Sequence, residues 1–289
     1  MGGQRASGSS SCREPRRRAG RFPTGPAGAG FSATPSAGGT SEEGMRPVWT
    51  STPWGATHAL TAGRPTADHV VIIPGLGVST YLRPTVQAFA CSGFRCWLVD
   101  PPGFGDSGDP PRPLGIGEIA ESILAWLKQR RLTEITLLGH SSGTQVAARV
   151  VAAAPDQVVR LVLGSPTLDP RYRTWPRTLG RWLIDGTREP RSLSSTQLPE
   201  WRRAGPRRLL QLFRSMKTDD LEQTLGAVRC PVLVIRGARD PLCSAEWAIG
   251  LVAGPDRDLV ELPGLPHAFP YRVPHALPGA IQSWIGVRP

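Results

Sequence analysis

Short apolar segments that alternate with helical segments are the sequence feature that most constrains the fold. From residue 68 onward, six short segments are rich in apolar residues at consecutive positions: 70–73, 94–99, 135–138, 159–163, 232–235 and 259–262. Helices are predicted at 79–91, 118–129, 141–153, 245–252 and 276–285. Strands that are apolar on both faces are typical of a parallel sheet covered by helices on both sides. The chain is therefore predicted to be an α/β protein with a mostly parallel sheet.

Residues 168–228 interrupt this alternation. Trp175, Leu179, Trp182 and Leu183 follow one another at helical spacing and share one helical face. We interpret residues 168–228 as a helical cap inserted into a core made of residues 45–167 and 229–289.

The first 44 residues have a different composition, rich in Gly, Ser, Ala, Pro and Arg, with almost no large apolar side chains. Such a segment cannot bury enough apolar surface to offset the entropy lost on ordering. We expect residues 1–44 to form a disordered tail, and globular composition begins at Met45.

Charge and composition exclude several classes of protein. The net charge is +11, but 32 of the 34 basic residues are arginine and no nucleic-acid-binding module interleaves them with aromatics, so nucleic-acid binding is not expected. No uncharged apolar segment of 18 residues occurs, which argues against a membrane span. The five cysteines form no CxxC pair, and the arginines at 16–18 precede no apolar segment, so we expect a reducing, cytoplasmic location.

The strongest chemical signal is Gly139-His140-Ser141-Ser142-Gly143, a G-x-S-x-G pattern between a predicted strand and a predicted helix. A serine on such a tight turn is held with its hydroxyl exposed, and the helix that follows points its amide dipoles toward the same place. Ser141 is therefore the predicted nucleophile.

A serine hydroxyl needs a base, and the base needs a carboxylate to orient it. Of the other histidines, His58 and His69 precede the first clear strand, His275 begins the last helix, and His140 is expected to point away from the turn. His267 lies in the loop after the last strand and is the predicted base.

The predicted carboxylate is Asp240, in the loop after the penultimate strand. Asp169, after an earlier strand, is the alternative. With Asp240, the order along the chain is Ser, Asp, His, which is the order known for one hydrolase fold.

These residues and the alternation around them resemble the α/β-hydrolase fold superfamily over residues 45–289. The resemblance implies a pocket for a small-molecule substrate and an oxyanion hole made of two backbone amides. These are the amide of Ser142, after the nucleophile, and that of Leu76, in the loop Pro74-Gly75-Leu76-Gly77. Many relatives have His-Gly where this chain has Pro74-Gly75.

A second glycine pattern is interpreted as a loop and not as a nucleotide site. Residues 103–108 read G-x-G-x-x-G, but the proline-rich stretch after them cannot begin a helix, so no phosphate-binding helix end follows. No metal-binding pattern occurs either. No cofactor and no metal are therefore expected.

The sequence predicts a serine hydrolase that cleaves an ester, a lactone or a related acyl bond. An inner face of the cap that presents Trp175, Trp182, Leu209 or Phe213 is expected to form an apolar ceiling over Ser141. Two alternatives remain at this point: a carbon–carbon bond hydrolase with the same triad, and a member of the fold that binds a small molecule without turnover.

Overall fold

The computed structural model describes residues 44–287. The predicted tail, apart from Gly44, lies outside these residues. Eight strands form one sheet: β1 (Arg46–Thr52), β2 (Gly55–Ala62), β3 (His69–Ile73), β4 (Arg95–Val99), β5 (Ile135–His140), β6 (Val158–Gly164), β7 (Val232–Gly237) and β8 (Arg257–Leu262). Their spatial order is β1-β2-β4-β3-β5-β6-β7-β8. The pairs β1–β2 and β2–β4 are antiparallel and all other pairs are parallel.

The predicted α/β fold with a mostly parallel sheet is confirmed, and six of the eight strands are those predicted. The antiparallel hairpin β1–β2 was missed. Its first strand is exposed or half-buried along its whole length, so it lacks the continuous apolar character that marks a buried strand.

Helices cover both faces of the sheet. They are α1 (Arg83–Cys91), α2 (Ile116–Arg130), α3 (Gly143–Ala153), α4 (Trp175–Arg188), α5 (Arg191–Ala204), α6 (Pro206–Thr218), α7 (Leu221–Gly226), α8 (Ala245–Leu251), α9 (Phe269–Arg272) and α10 (Ala276–Val287). Successive side chains of a strand point to opposite faces. Accordingly, Val71 and Ile73 of β3 join the apolar cluster under α2 and α3, whereas Val70 and Ile72 join the cluster under α1 and α10.

Helices α4 to α7 lie between β6 and β7, in the stretch for which a helical cap was predicted. We call residues 170–226 the helical insertion. No helix within residues 44–287 is long and apolar enough to cross a membrane.

Candidate active site

Ser141 occupies a sharp turn between β5 and α3. Its φ of 54° lies in the left-handed region, which residues other than glycine rarely adopt. The two glycines of the pattern make this turn possible. A Cβ atom at Gly139 would overlap the backbone of Gly143, and one at Gly143 would overlap the carbonyl of Ile73. The sequence-predicted turn is therefore present, with the side chain of Ser141 at its apex.

The side chains of Ser141, His267 and Asp240 form one hydrogen-bonded series. Nε2 of His267 lies 2.9 Å from Oγ of Ser141, and Nδ1 of His267 lies 2.8 Å from Oδ2 of Asp240. The other oxygen of Asp240 accepts hydrogen bonds from the amides of Leu242, at 2.8 Å, and Cys243, at 3.0 Å. The loops after β7 and β8 thus bring the predicted base and acid to the predicted nucleophile.

The alternative carboxylate, Asp169, is used elsewhere. It accepts hydrogen bonds from the Arg171 guanidinium and from the Ser244 hydroxyl, the latter at 2.8 Å. Within residues 44–287, it is Asp240 and not Asp169 that bonds to His267.

The predicted oxyanion amides are adjacent, but one of them is already engaged. The amide of Leu76 donates to Oγ of Ser142 at 2.8 Å. Leu76 has a φ of 46°, so its amide direction depends on an uncommon backbone conformation. An oxyanion that uses both amides must take the place of the Ser142 hydroxyl as the acceptor of the Leu76 N–H.

His140 has a structural position that the sequence did not indicate. Its Nε2 donates to the carbonyl of His267 at 3.1 Å, and its Nδ1 accepts from the hydroxyl of Tyr81 at 2.7 Å. Tyr81 in turn accepts from the amide of Gly75 at 3.2 Å. The expectation that His140 points away is therefore wrong in part: it contacts the backbone of the predicted base. Burial lowers the pKa of His140 to about 3, so it stays neutral.

Three carboxylates act electrostatically on His267. Burial by itself would lower the pKa of His267, but Asp240, by charge and hydrogen bond, and the charges of Asp185 and Glu189 on the helical insertion raise it to about 9. Burial would raise the pKa of Asp240, but the charge and hydrogen bond of His267 lower it below its ordinary value. Burial raises the pKa of Asp185 and of Glu189. The site therefore favours the protonated imidazole.

A cavity of about 190 Å³ lies beside Ser141 and His267. The insertion contributes Trp182, Leu193 and Trp201 to its walls, together with Asp185 and Glu189. Of the four residues named as candidates for the ceiling, Trp182 lines the cavity, whereas Trp175, Leu209 and Phe213 do not. Phe213 instead stacks on Trp175 at a ring distance of 5.7 Å.

Two carboxylates of the insertion hold the loops of the site. Glu200 of α5 accepts hydrogen bonds from the amides of Ser79, at 3.1 Å, and Thr80, at 2.9 Å, in the loop that also carries Leu76. Glu189, directly after α4, accepts one from the amide of Ala268 at 2.7 Å, next to His267. Nothing in the sequence pattern marked these residues, because the amides that they bond lie 79 and about 120 residues away.

The predicted loop at residues 103–108 closes on itself, with the amide of Gly103 donating to the carbonyl of Gly108 at 2.9 Å. The next helix after this loop begins only at Ile116. Next to it lies the one group of three possible metal ligands found in residues 44–287: His58, Asp100 and Asp106. Oδ2 of Asp100 already accepts from His58 Nδ1 and from the amide of Asp106. We interpret this group as a brace of the loop, and the absence of a metal stays a prediction.

Comparison with known proteins gives a family-level match. The model of a family described as alpha/beta hydrolase matches residues 70–278. A putative carbamate hydrolase, RutD, of Klebsiella pneumoniae (strain 342) is 25% identical over 228 residues, covering 71% of this chain and 86% of the relative. A haloalkane dehalogenase of Mycolicibacterium paratuberculosis is 26% identical over 216 residues, covering 64% of this chain and 72% of the relative.

Solved structures agree on the fold. A thermophilic esterase from Thermogutta terrifontis superposes with a TM-score of 0.68 at 20% sequence identity, covering 83% of this chain and 98% of that one. At this identity the similarity describes the fold and says nothing of the substrate.

Proposed function

Because the chain belongs to the alpha/beta hydrolase family, we propose that it is a serine hydrolase that cleaves an ester, a lactone or a related acyl bond of a small, mainly apolar substrate. The observation that carries the proposal is the hydrogen-bonded series from Oγ of Ser141 through His267 to Asp240, with distances of 2.9 and 2.8 Å. A nucleophile, a base and an orienting acid in this arrangement are what acyl transfer requires.

In the proposed mechanism, Oγ of Ser141 attacks the acyl carbon while Nε2 of His267 takes its proton. Asp240 stabilises the resulting imidazolium, and the amides of Ser142 and Leu76 donate to the oxyanion. His267 then protonates the leaving group as the bond to the acyl carbon breaks. Water, deprotonated by His267, then attacks the acyl-enzyme. The bond between the acyl carbon and Oγ of Ser141 breaks, His267 returns the proton to Oγ, and the acid is released.

The nature of the bond is the finer part of the proposal. Haloalkane dehalogenases of this fold have an aspartate in the position of the nucleophile, so Ser141 argues against dehalogenation. A carbon–carbon bond hydrolase would use the same three residues. A substrate panel should therefore contain esters, lactones, carbamates and a dienoic acid.

Labelling by a fluorophosphonate tests for an activated serine. The unaltered protein should be labelled, with the modified peptide containing Ser141, and Ser141→Ala should not be labelled. Ser192→Ala, at an exposed serine of α5, is the matched control and should label normally. Absence of labelling in the unaltered protein would favour a binding protein without turnover.

Acyl-chain length should affect KM more than kcat. Trp182, Leu193 and Trp201 offer apolar surface, and each buried methylene contributes about 0.8 kcal/mol, or about fourfold in affinity. Medium-chain esters should therefore outperform acetate, since such binding is largely equal in the ground and transition states. Kinetics on acetate, butyrate, hexanoate and octanoate esters measure this. Trp182→Ala should weaken the trend, whereas Ile249→Ala should not, because Ile249 is exposed and does not line the cavity. A kcat/KM that falls steadily from acetate onward would contradict an apolar acyl site.

The pH dependence of kcat/KM should reflect the three carboxylates around His267. Only the neutral imidazole can accept the proton of Ser141, so kcat/KM should rise with pH as His267 loses its proton, around pH 9. Asp185→Asn removes a negative charge that favours the imidazolium, so the rise should move to lower pH. Glu222→Gln, on the exposed surface of α7, should superimpose on the unaltered profile. Identical profiles for all three proteins would show that the charge of Asp185 does not act on His267.

Glu200 should act as a positioning residue for the loop of Leu76. Glu200→Ala leaves the amides of Ser79 and Thr80 without their acceptor, and a displacement of about 1 Å in a catalytic loop can cost about 100-fold in rate. We expect a fall in kcat of about 10- to 100-fold with a smaller change in KM. Glu200→Gln keeps one acceptor oxygen and should recover part of kcat, whereas Glu222→Ala should have no effect. Equal kinetics for Glu200→Ala and Glu222→Ala would refute the role.

A further inference from the structure

The helical insertion carries an unusual share of the exposed apolar side chains. Trp175, Leu179 and Leu183 of α4 are 50%, 58% and 65% exposed. They are spaced four residues apart, so they form one stripe along the helix. Six of the eleven large hydrophobic side chains that are exposed in residues 44–287 belong to the insertion. We call these six the outer face: Trp175, Leu179, Leu183, Ile184, Leu198 and Leu210.

Between residues 170 and 218, every exposed charged side chain is an arginine. Between residues 170 and 218, five exposed arginines have no carboxylate partner within the described part of the chain: Arg177, Arg191, Arg202, Arg207 and Arg214. The acidic residues between the same bounds are Asp185, Glu189 and Glu200. All three are half-buried and turned toward the cavity or the core loops. Between residues 170 and 218, the carboxylates thus face inward and these five guanidinium groups face outward.

The outer face adjoins the candidate active site. In α4, Leu183 and Ile184 lie between Trp182 and Asp185, both of which line the cavity, and Leu198 of α5 follows the cavity residue Gln197. Exposed Gly186 of α4 also lines the cavity. The same two helices therefore contribute to the cavity with one side and to the outer face with an adjacent side.

We propose that the outer face docks on the surface of a lipid bilayer that contains anionic lipids. Helices that lie in a membrane interface combine Trp and Leu on one side with arginine or lysine beside them, and their binding depends on both the apolar area and the attraction to anionic headgroups. No helix in residues 44–287 spans a membrane, so the contact is one of the surface only.

Charge distinguishes this partner from two others. A second copy of the chain would bring another outer face, and its unpaired arginines, against the first, at a net charge of +11 per chain. A nucleic acid would satisfy the arginines but would leave Leu179, Leu183 and Leu198 with no apolar partner. An anionic bilayer supplies both the negative headgroups and the apolar interior.

Docking goes beyond the proposed function and does not require it, because membrane binding involves none of Ser141, Asp240 and His267. If both hold, the cavity receives acyl substrates that reside in the membrane. Ser141→Ala should bind vesicles like the unaltered protein. Loss of hydrolysis with binding retained would therefore bear only on the proposed function, and loss of binding with hydrolysis of soluble esters retained would bear only on docking.

Co-sedimentation of the full-length protein with vesicles tests the proposal. Vesicles of phosphatidylcholine with phosphatidylglycerol in equal parts should bind about tenfold more protein than vesicles of phosphatidylcholine alone, and salt of about 0.5 M should reduce the difference. Leu179→Ser with Leu183→Ser should lower binding about tenfold. Ile249→Ser with Val273→Ser, which removes two exposed apolar side chains elsewhere, should not.

A second pair of variants isolates the charge. Arg207→Ser with Arg214→Ser should weaken binding to anionic vesicles, whereas Arg46→Ser with Arg64→Ser, which lowers the net charge equally, should have little effect. Melting temperatures and light scattering are recorded for every variant. Equal binding to both kinds of vesicle, or equal losses for the outer-face and control pairs, would overturn the proposal. So would a change from dimer to monomer in the leucine variant, since it would identify a second copy as the partner.

Discussion

Ser141→Ala is expected to lower kcat by about 10⁶-fold, and His267→Ala by about the same factor. The hydroxyl of Ser141 and the imidazole of His267 share one proton along a hydrogen bond of 2.9 Å, so each is ineffective without the other. The double variant should therefore be no slower than either single variant. Rates with the best ester of the substrate panel, measured for all four proteins, form the double-mutant cycle that checks this.

The result depends on the variants being folded. Ser141 has a φ of 54°, a conformation that alanine tolerates no better than serine, so the melting temperatures should change little. Losses that add on a logarithmic scale would show that the two residues act separately, against the proposed proton transfer.

Asp240→Asn is expected to reduce kcat by about 10⁴-fold while leaving KM and the fold largely unchanged. An amide in place of the carboxylate can donate a hydrogen bond to Nδ1 of His267, which places the proton of the imidazole on Nε2, the atom that must accept it from Ser141. Asparagine also lacks the negative charge of Asp240, so the imidazolium formed in the reaction is less stable.

Asp169→Asn is the matched control, because Asp169 is equally buried, follows a neighbouring strand and was the alternative acid. Its carboxylate pairs with Arg171 and Ser244, so its replacement should lower the melting temperature with little effect on kcat. An active Asp240→Asn together with an inactive Asp169→Asn would reverse the assignment of the acid.

The candidate nucleophile was accessible from the sequence because its signal is local. The turn at Ser141 needs glycine at 139 and at 143, and this spacing is visible as a five-residue pattern. A Cβ at Gly139 would overlap Gly143 within the turn, whereas one at Gly143 would overlap the carbonyl of Ile73 in the neighbouring strand. His267 and Asp240 could be predicted because both lie in loops after predicted strands, and the loops after parallel strands meet at one edge of the sheet. Their roles in catalysis stay proposals.

The groups that surround these residues were not accessible in this way. Tyr81 and His140 are joined by a hydrogen bond across 59 residues of sequence, and Glu200 bonds to amides about 120 residues before it. No local pattern records such a contact, because its partners come together only when the sheet and the insertion have packed. The engagement of the Leu76 amide by the Ser142 hydroxyl is of the same kind, with 66 residues between them.

The sequence by itself determined the α/β architecture, the mostly parallel orientation of its buried strands and the turn at Ser141, because each leaves a periodicity or a glycine spacing in the sequence. Only the tertiary structure decided which face of the insertion meets the cavity and which meets solvent. The stripe of Trp175, Leu179 and Leu183 has the spacing of a buried helical face, yet it is exposed, while Asp185 and Glu189 turn toward His267. Periodicity shows that a helix has an apolar side, but the surface that covers this side is set by the whole fold.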